Sequence, residues 1–196
     1  MRTFHWLLLT GATLFAIAAC NHAGSPAQSA LRPMASIKDI MDAIVDPSAD
    51  VLWESVATIV SAAGTEERRP KTDEDWANVK RNAIRIIEGA NLLVMDGRRV
   101  AKPGEKSENP GIELEPAQME ELINQDRATF IQRAHALQDA ASVALKAIEA
   151  RSAEGLLDAG EGIDNACENC HLKYWYPLEA QAQKAKEGAA SPRKAS

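Results

Sequence analysis

The apolar residues of this chain recur with a helical spacing. In the long segments they stand three and four positions apart, and no segment sustains an alternation of apolar and polar residues. A spacing of three and four puts apolar side chains on one face of an α-helix, whereas alternation would indicate a strand. The pattern therefore predicts an all-α domain.

The first predicted helix begins at Ser36, a residue type that caps helices well, and its apolar stripe runs from Ile37 to Ile59. Gly64 is its predicted end. Pro47 stands inside the stripe, where a proline lacks the N–H and its ring clashes with the preceding turn. We therefore expect this helix to be kinked at Pro47 or split in two there.

Two longer helices follow. The second is predicted to begin after Thr72 or Asp73 and to stop at Gly97. Residues 98–116 contain three prolines and two glycines, so they are predicted to be an irregular connection. The third helix is predicted to begin at Pro116 and to continue without a break to about Arg151.

The fourth predicted helix is capped by Ser152 and ends at the aromatic segment 174–177, although three glycines near its start weaken it. Four helices of this length suit an antiparallel four-helix bundle, whose interior can hold a cofactor. We assign residues 36–184 to this domain. Residues 185–196 consist mainly of small and charged residues and are predicted to be a disordered tail.

The amino-terminal segment has the pattern of an export signal. Residues 1–19 combine Arg2 with an apolar run that is too short to span a membrane and that ends in small residues. Cys20 follows this run as in a bacterial lipobox, which predicts cleavage before Cys20 and acylation of its thiol. The alternative is an ordinary signal with Cys20 merely nearby. Residues 20–35 read as a flexible tether.

The charge of the mature chain excludes some partners. Cleavage would remove Arg2 and no acidic residue, which leaves 21 basic residues, 28 acidic residues and a net charge of −7. A chain of this charge does not suit nucleic acid or an anionic lipid surface as a partner.

One short segment carries distinctive chemistry, because Cys167, Cys170 and His171 form a CxxCH sequence. A c-type haem needs two thiols to form thioethers with its vinyl groups and an imidazole beside them to bind the iron. On a helix these positions share one face. We therefore predict one covalent haem c, attached through Cys167 and Cys170, with His171 as the proximal iron ligand.

Two other uses of closely spaced cysteines fit less well. A thioredoxin-like CxxC needs a βαβ setting, which the pattern lacks, and a zinc site needs further Cys or His ligands at short spacing. An exported protein with three cysteines has an odd thiol to explain. Here Cys20 falls in the lipobox and the other two fall in CxxCH, so none is left over.

The ligand on the other side of the iron is harder to predict, and it decides between a closed iron and one open to a small gas. The candidates in the folded part are His135, Met34, Met41, Met95 and Met119. An isolated helical His is more often at the surface, and methionines near helix ends, such as Met95 and Met119, fill the core. Met41 lies on the first apolar stripe, where the pattern alone favours packing over ligation.

With CxxCH near the end of the last of four helices, the chain resembles the class II c-type cytochromes, the cytochrome c-prime family, over residues 37–176. In that family a first-helix residue covers the distal face of the haem, and it is Met in low-spin six-coordinate members. Counting from the start of the first helix places Met41 there. The resemblance therefore implies that Met41 is the distal iron ligand.

The chain departs from the family at the Asp46–Pro47 pair, in its long connection before the third helix, and in the aromatic segment 174–177, where basic residues are common. These departures leave the distal geometry and the partner surface open. Tyr174 suits either the haem edge or ordinary closure of the core.

The leading hypothesis for function is a monohaem electron carrier, not an enzyme, tethered to a membrane on the periplasmic side and serving redox proteins there. The alternative is a module that binds nitric oxide or carbon monoxide at a five-coordinate or labile iron. A peroxide-processing enzyme would need a distal acid–base group, for which only His135 or Arg127 is available. The sequence leaves open whether the chain forms a homodimer.

Overall fold

The computed structural model describes residues 31–110 and 112–177. This part of the chain is mostly helical, which confirms the helical character of the predicted all-α domain, but it also contains one small two-stranded sheet that the prediction lacked. The predicted signal 1–19, Cys20, residues 21–30 of the tether and the tail 185–196 lie outside the described residues.

The first helix, α1, consists of three segments that follow without a gap: Ile37–Ile40, a π-helical turn at Met41–Val45, and Asp46–Ser55. Ser36 caps it as predicted. The Ser36 hydroxyl accepts the Asp39 N–H at 3.0 Å, and the Asp39 carboxylate accepts the Ser36 N–H at 3.0 Å. This reciprocal pair satisfies two backbone donors that the helix itself cannot pair.

The chain does not split at Pro47; α1 accommodates it with a wider turn. The Asp46 N–H donates to the carbonyl of Met41, five residues earlier, and Pro47 follows directly. A proline ring in a regular α-helix clashes with the carbonyl four residues before it. We attribute the π turn to Pro47, because a π turn relieves this crowding without ending the helix.

The prediction that the first helix extends to Ile59 and ends at Gly64 is wrong. Strands β1 (Ala57–Ser61) and β2 (Gly64–Arg68) form an antiparallel hairpin in which Ala57 pairs with Arg68 and Ser61 with Gly64. Three consecutive β-branched residues, 58–60, favour a strand over a helix. Gly64 has φ +127°, a conformation that only glycine adopts readily, so it serves the turn rather than a helix end.

Helix α2 spans Asp73–Leu93, α3 spans Pro116–Gln125, α4 spans Arg127–Glu149 and α5 spans Ala153–Tyr174. Of the two caps predicted for α2, the structure uses Thr72, whose hydroxyl accepts the Asp75 N–H at 3.1 Å. Ser152 caps α5 as predicted.

The prediction of one unbroken third helix is wrong, because Asp126 separates α3 from α4. Asp126 has φ −134° and ψ 54°, outside the helical region, and its side chain accepts the Thr129 N–H at 3.3 Å as the cap of α4. Its other carboxylate oxygen is 2.5 Å from Lys173 Nζ on α5. Hydrogen bonding by Asp to nearby backbone competes with the helix, and this explains the break.

The long helices contact one another in pairs: α1 with α2, α2 with α4, α4 with α5, and α5 with α1. The Trp53 indole N–H on α1 donates to the Gly160 carbonyl on α5 at 3.2 Å. The core between the helices contains Leu52, Ile86, Leu137, Leu156 and Ile163, all buried.

Gly89 allows α2 to approach the π turn of α1 closely. A Cβ at residue 89 would lie 2.8 Å from Val45 Cγ2, and Val45 is a buried, β-branched side chain. We expect Gly89→Ala to lower the free energy of unfolding by about 1–3 kcal/mol through overpacking. As a control, a Cβ at Gly162 meets its nearest atom at 3.9 Å, so Gly162→Ala should stabilise α5 by about 0.5–1 kcal/mol. Urea unfolding followed by circular dichroism measures both, and an equal effect of the two changes would refute the close approach.

Candidate functional site

The CxxCH segment lies on the last turns of α5, as the sequence predicted. Cys167, Cys170 and His171 occupy positions three and four apart within Ala153–Tyr174, so they share one face of the helix. Cys167 and Cys170 are free thiols, half-buried and packed against the core, and His171 is half-buried as well. Both cysteines therefore pack against the core, and of the three residues Cys170 and His171 also line the adjoining cavity, whereas Cys167 does not.

A mostly apolar cavity lies beside this face. It has a volume of about 180 Å³, is partly open to solvent, and its lining includes Cys170, His171 and Met41. This is smaller than the roughly 300–1,000 Å³ of typical ligand pockets, but apolar walls with a few polar groups are the usual character of cofactor sites. All five helices and the connection before α3 contribute to the wall, whose apolar residues include Ile37, Leu93, Val100, Ile123 and Phe130.

The structure brings Met41 and His171 to the same cavity from different helices. Trp53 near the end of α1 bonds to Gly160 near the start of α5, while Met41 near the start of α1 lines the cavity with His171 near the end of α5. The two helices therefore run antiparallel. Met41 is half-buried and is the first residue of the π turn.

Met119 is a second methionine in the cavity wall, and sequence reasoning assigned it to the core. It is a half-buried residue of α3 and lines the same cavity as His171. The other candidates lie elsewhere: His135 is exposed on α4, Met34 is 89 % exposed, and the Met95 sulfur contacts Arg98 Nη2 at 3.1 Å. Thioether ligation from the protein is thus open to Met41 and Met119.

Burial keeps both thiols protonated. It raises the pKa of Cys167 to about 11, with Asp164 adding to the effect, and it raises the pKa of Cys170 to about 11 against the opposing charges of Arg133 and Lys173. Redox-active CxxC motifs instead have a thiol of lowered pKa. These thiols are therefore unsuited to disulfide exchange, and a neutral thiol is compatible with addition to a vinyl group.

The imidazole of His171 is held neutral at physiological pH. Burial lowers its pKa, and the opposing influence of Glu168 and Asp46 is smaller. A neutral imidazole has a free lone pair for a metal. Within residues 31–110 and 112–177, no group of three or more His, Cys, Asp or Glu side chains converges as a metal site would require, so the zinc alternative gains no support.

The raised thiol pKa values predict a pH dependence for protein made without haem. The thiolate fraction of each folded thiol at pH 8 should be about 100-fold lower than in the unfolded chain, because the pKa is about two units higher. Alkylation by iodoacetamide should be slower by a similar factor. The folded state binds these protons more tightly, so its stability should fall as the pH rises from about 9 to 11. Equal alkylation rates with and without urea would contradict the burial of these thiols.

The aromatic segment after CxxCH surrounds His171 and closes the core. The Trp175 ring stands edge-on to the imidazole at 4.9 Å between centroids, and Tyr176 lies at 5.9 Å. Tyr174 is buried against Phe130 at 5.5 Å and also lines the cavity. Tyr174 therefore closes the core and also lines the cavity, and its contact with a haem edge stays a prediction.

The irregular connection before α3 forms a wall of the cavity, which sequence reasoning did not foresee. The Ile37 N–H donates to the Arg99 carbonyl at 2.9 Å and the Lys38 N–H to the Val100 carbonyl at 3.0 Å. Farther along, the Lys38 ammonium lies 2.6 Å from the Glu108 carboxylate. These bonds tie the connection to the start of α1. An irregular segment has no periodicity from which such contacts could be predicted.

No known protein family, curated protein or solved structure matches the chain. Within the described ranges 31–110 and 112–177, none of the helices has both the length and the apolar character that crossing a bilayer requires.

Proposed function

We propose that this protein is a monohaem c-type cytochrome that carries electrons. The observation that supports this proposal most strongly is the shared cavity: Cys170 and His171 of the CxxCH segment line it together with a methionine from another helix. The residues present fit a haem c. Cys167 and Cys170 would hold it through thioethers, His171 would be the proximal iron ligand and Met41 the distal one.

When bound, the haem supplies an iron that alternates between the ferric and ferrous states, and the protein tunes it through the axial ligands and burial. The apolar walls would reduce the contact of the haem with water, although the cavity is partly open to solvent. Lys38 and Lys106 also line the cavity, where Lys38 pairs with Asp42 and Glu108 and Lys106 lies 4.0 Å from Glu115. The carboxylates of a haem would compete with these pairs for the two cations.

We also propose that the long helices form an antiparallel four-helix bundle. Each long helix contacts two of the others, and α1 runs antiparallel to α5. These contacts support an antiparallel four-helix bundle of the cytochrome c-prime type, in which the first helix covers the distal side of the haem. The Ser36 cap and the π turn before Pro47 would then fix the position of Met41 on α1.

We further propose that the protein is exported and held at a periplasmic membrane face through a lipid on Cys20. Residues 1–20 carry the signal and lipobox pattern that supports this. Its partners would be redox proteins of the same compartment. Mass spectrometry of the mature amino terminus tests the anchor, since it distinguishes a diacylated or triacylated Cys20 from an unmodified start.

The absorption spectrum of the purified holoprotein tests the carrier function. We expect a low-spin spectrum in the oxidised form and a reduced form that carbon monoxide leaves unchanged, because a protein ligand on each side of the iron excludes the gas. A high-spin ferric spectrum together with rapid carbon monoxide binding would instead establish the gas-binding module. A protein purified from a haem-attaching host without any haem absorption would refute both.

A further inference from the structure

Aromatic rings lie beside the His171 imidazole, at a place where a metal-ligating histidine usually has a hydrogen-bond acceptor for its second ring nitrogen. Trp175, one helical turn farther along, stands edge-on to the imidazole with 4.9 Å between ring centroids and 89° between ring planes. Tyr176 lies on another side at 5.9 Å and 62°. Among the described residues, the His171 ring makes no hydrogen bond that would fix its rotation. Iron-ligating histidines normally have their ring orientation fixed by such a bond.

Trp175 is itself held from two sides. The backbone N–H of Trp175 donates to the His171 carbonyl at 2.8 Å. The Trp175 carbonyl accepts the backbone N–H of Leu114, which lies in the connection before α3, at 2.8 Å. Trp175 is an exposed residue, at 37 %, and also lines the same cavity as His171. The backbone of Trp175 is therefore fixed both to α5 and to a segment that is far away in sequence.

Glu113 organises the segment that holds Trp175. Its carboxylate accepts the Ser107 hydroxyl at 3.0 Å, the Glu108 N–H at 3.1 Å and the Asn109 N–H at 3.2 Å. Partial burial opposes its ionisation, but these hydrogen bonds and the Trp175 side chain outweigh burial and lower its pKa. An ionised Glu113 thus fixes residues 107–109 and lies beside the indole.

We propose that Trp175 is a positioning residue that sets the ring orientation of His171, and that Glu113 and Leu114 hold Trp175 in place. This inference rests on the proposed function, because it concerns His171 as an iron ligand. An edge-on ring restricts rotation of the imidazole by contact. The aromatic pair Trp175–Tyr176 thereby takes the part that a hydrogen-bonded carboxylate or carbonyl plays at other ligating histidines.

Paramagnetic NMR of the oxidised holoprotein tests the positioning role. The pattern of hyperfine-shifted haem methyl resonances depends on the plane of the axial imidazole, so it reports ring orientation directly. We expect Trp175→Ala to shift this pattern or to split it into two sets. Trp175→Phe keeps a ring at the same place and should retain the parent pattern. Trp53→Phe is the matched control, because Trp53 bonds to Gly160 away from the cavity.

The outcomes separate this inference from the proposed function. If the parent holds haem and Trp175→Ala keeps the parent methyl pattern, Trp175 only closes the cavity and the inference is wrong. If the parent holds no haem, the proposed function fails instead. Should Trp175→Ala fail to fold, Glu113→Gln gives the same test with the ring intact. Glu113→Gln should shift the haem methyl pattern away from that of the parent, whereas Glu121→Gln, at an exposed residue, should not. An unshifted Glu113→Gln spectrum would then overturn the inference.

Discussion

We expect replacement of both Cys167 and Cys170 by serine to abolish covalent haem attachment, because these are the two thiols of α5 and the proposed haem is held through both. Serine preserves the size of the side chain but forms no such bond. A haem-stained denaturing gel of the double variant should show no band. Extraction with acidified solvent should release any haem that still binds through His171. Each single variant should keep one thioether and a weaker band.

The chain provides a control in its third cysteine. Cys20→Ala removes a thiol in the signal region and should leave the haem stain on the protein unchanged. A haem stain on the double Cys167/Cys170 variant equal to that of the parent would show that the attachment lies elsewhere. Loss of the stain in Cys20→Ala, with the stain of the parent retained, would indicate a defect in export, which attachment requires, and the stain in whole-cell fractions distinguishes these cases.

The parts of the site that could be predicted from the sequence depend on short-range chemistry. The CxxCH spacing predicts a shared helical face whatever the rest of the fold, and α5 carries it as expected. Ser36, Thr72 and Ser152 also act as predicted, because a capping side chain bonds to a backbone N–H only two or three residues away. These features need no knowledge of distant residues.

The parts that could not be predicted depend on competition between local preferences or on distant contacts. The stripe that suggested a longer first helix ends at Ile59, but Ile59 and its neighbours Thr58 and Val60 are all β-branched and form a strand. Asp126 breaks the predicted third helix by capping α4 and pairing with Lys173, 47 residues away. The connection that walls the cavity and the entry of Met119 into that wall both require the folded arrangement of α1, α3 and α5.

The position of Met41 depends both on the local apolar pattern and on contacts between helices that are distant in sequence. Its place on the apolar stripe is a local signal that fits core packing, and only the antiparallel arrangement of α1 and α5 brings it to the cavity that His171 lines. Its carbonyl also accepts the Asp46 N–H in the π turn that we attribute to Pro47. Met119 lies in a regular α-helix. We propose Met41 rather than Met119 as the distal ligand because the resemblance to the cytochrome c-prime family places that ligand in the first helix.

Met41→Ala will therefore convert the iron from low spin to high spin and open it to carbon monoxide. Alanine has no sulfur, and the space vacated next to the cavity leaves the sixth position to water or a gas. Loss of a thioether ligand should also lower the reduction potential, because Met/His ligation raises it. Absorption spectra of the oxidised and reduced variant, with and without carbon monoxide, and a redox titration measure these changes.

Met119→Ala is the matched control, because it removes the other thioether from the same cavity wall. We expect it to retain a low-spin spectrum and to cost stability of about 2–5 kcal/mol at most, since its contacts are those of a core methionine. The reverse result, with a high-spin Met119→Ala and a low-spin Met41→Ala, would transfer the distal ligand to α3. The connection before α3 would then determine the coordination of the iron, since it leads directly into that helix, and the first helix would only cover the cavity.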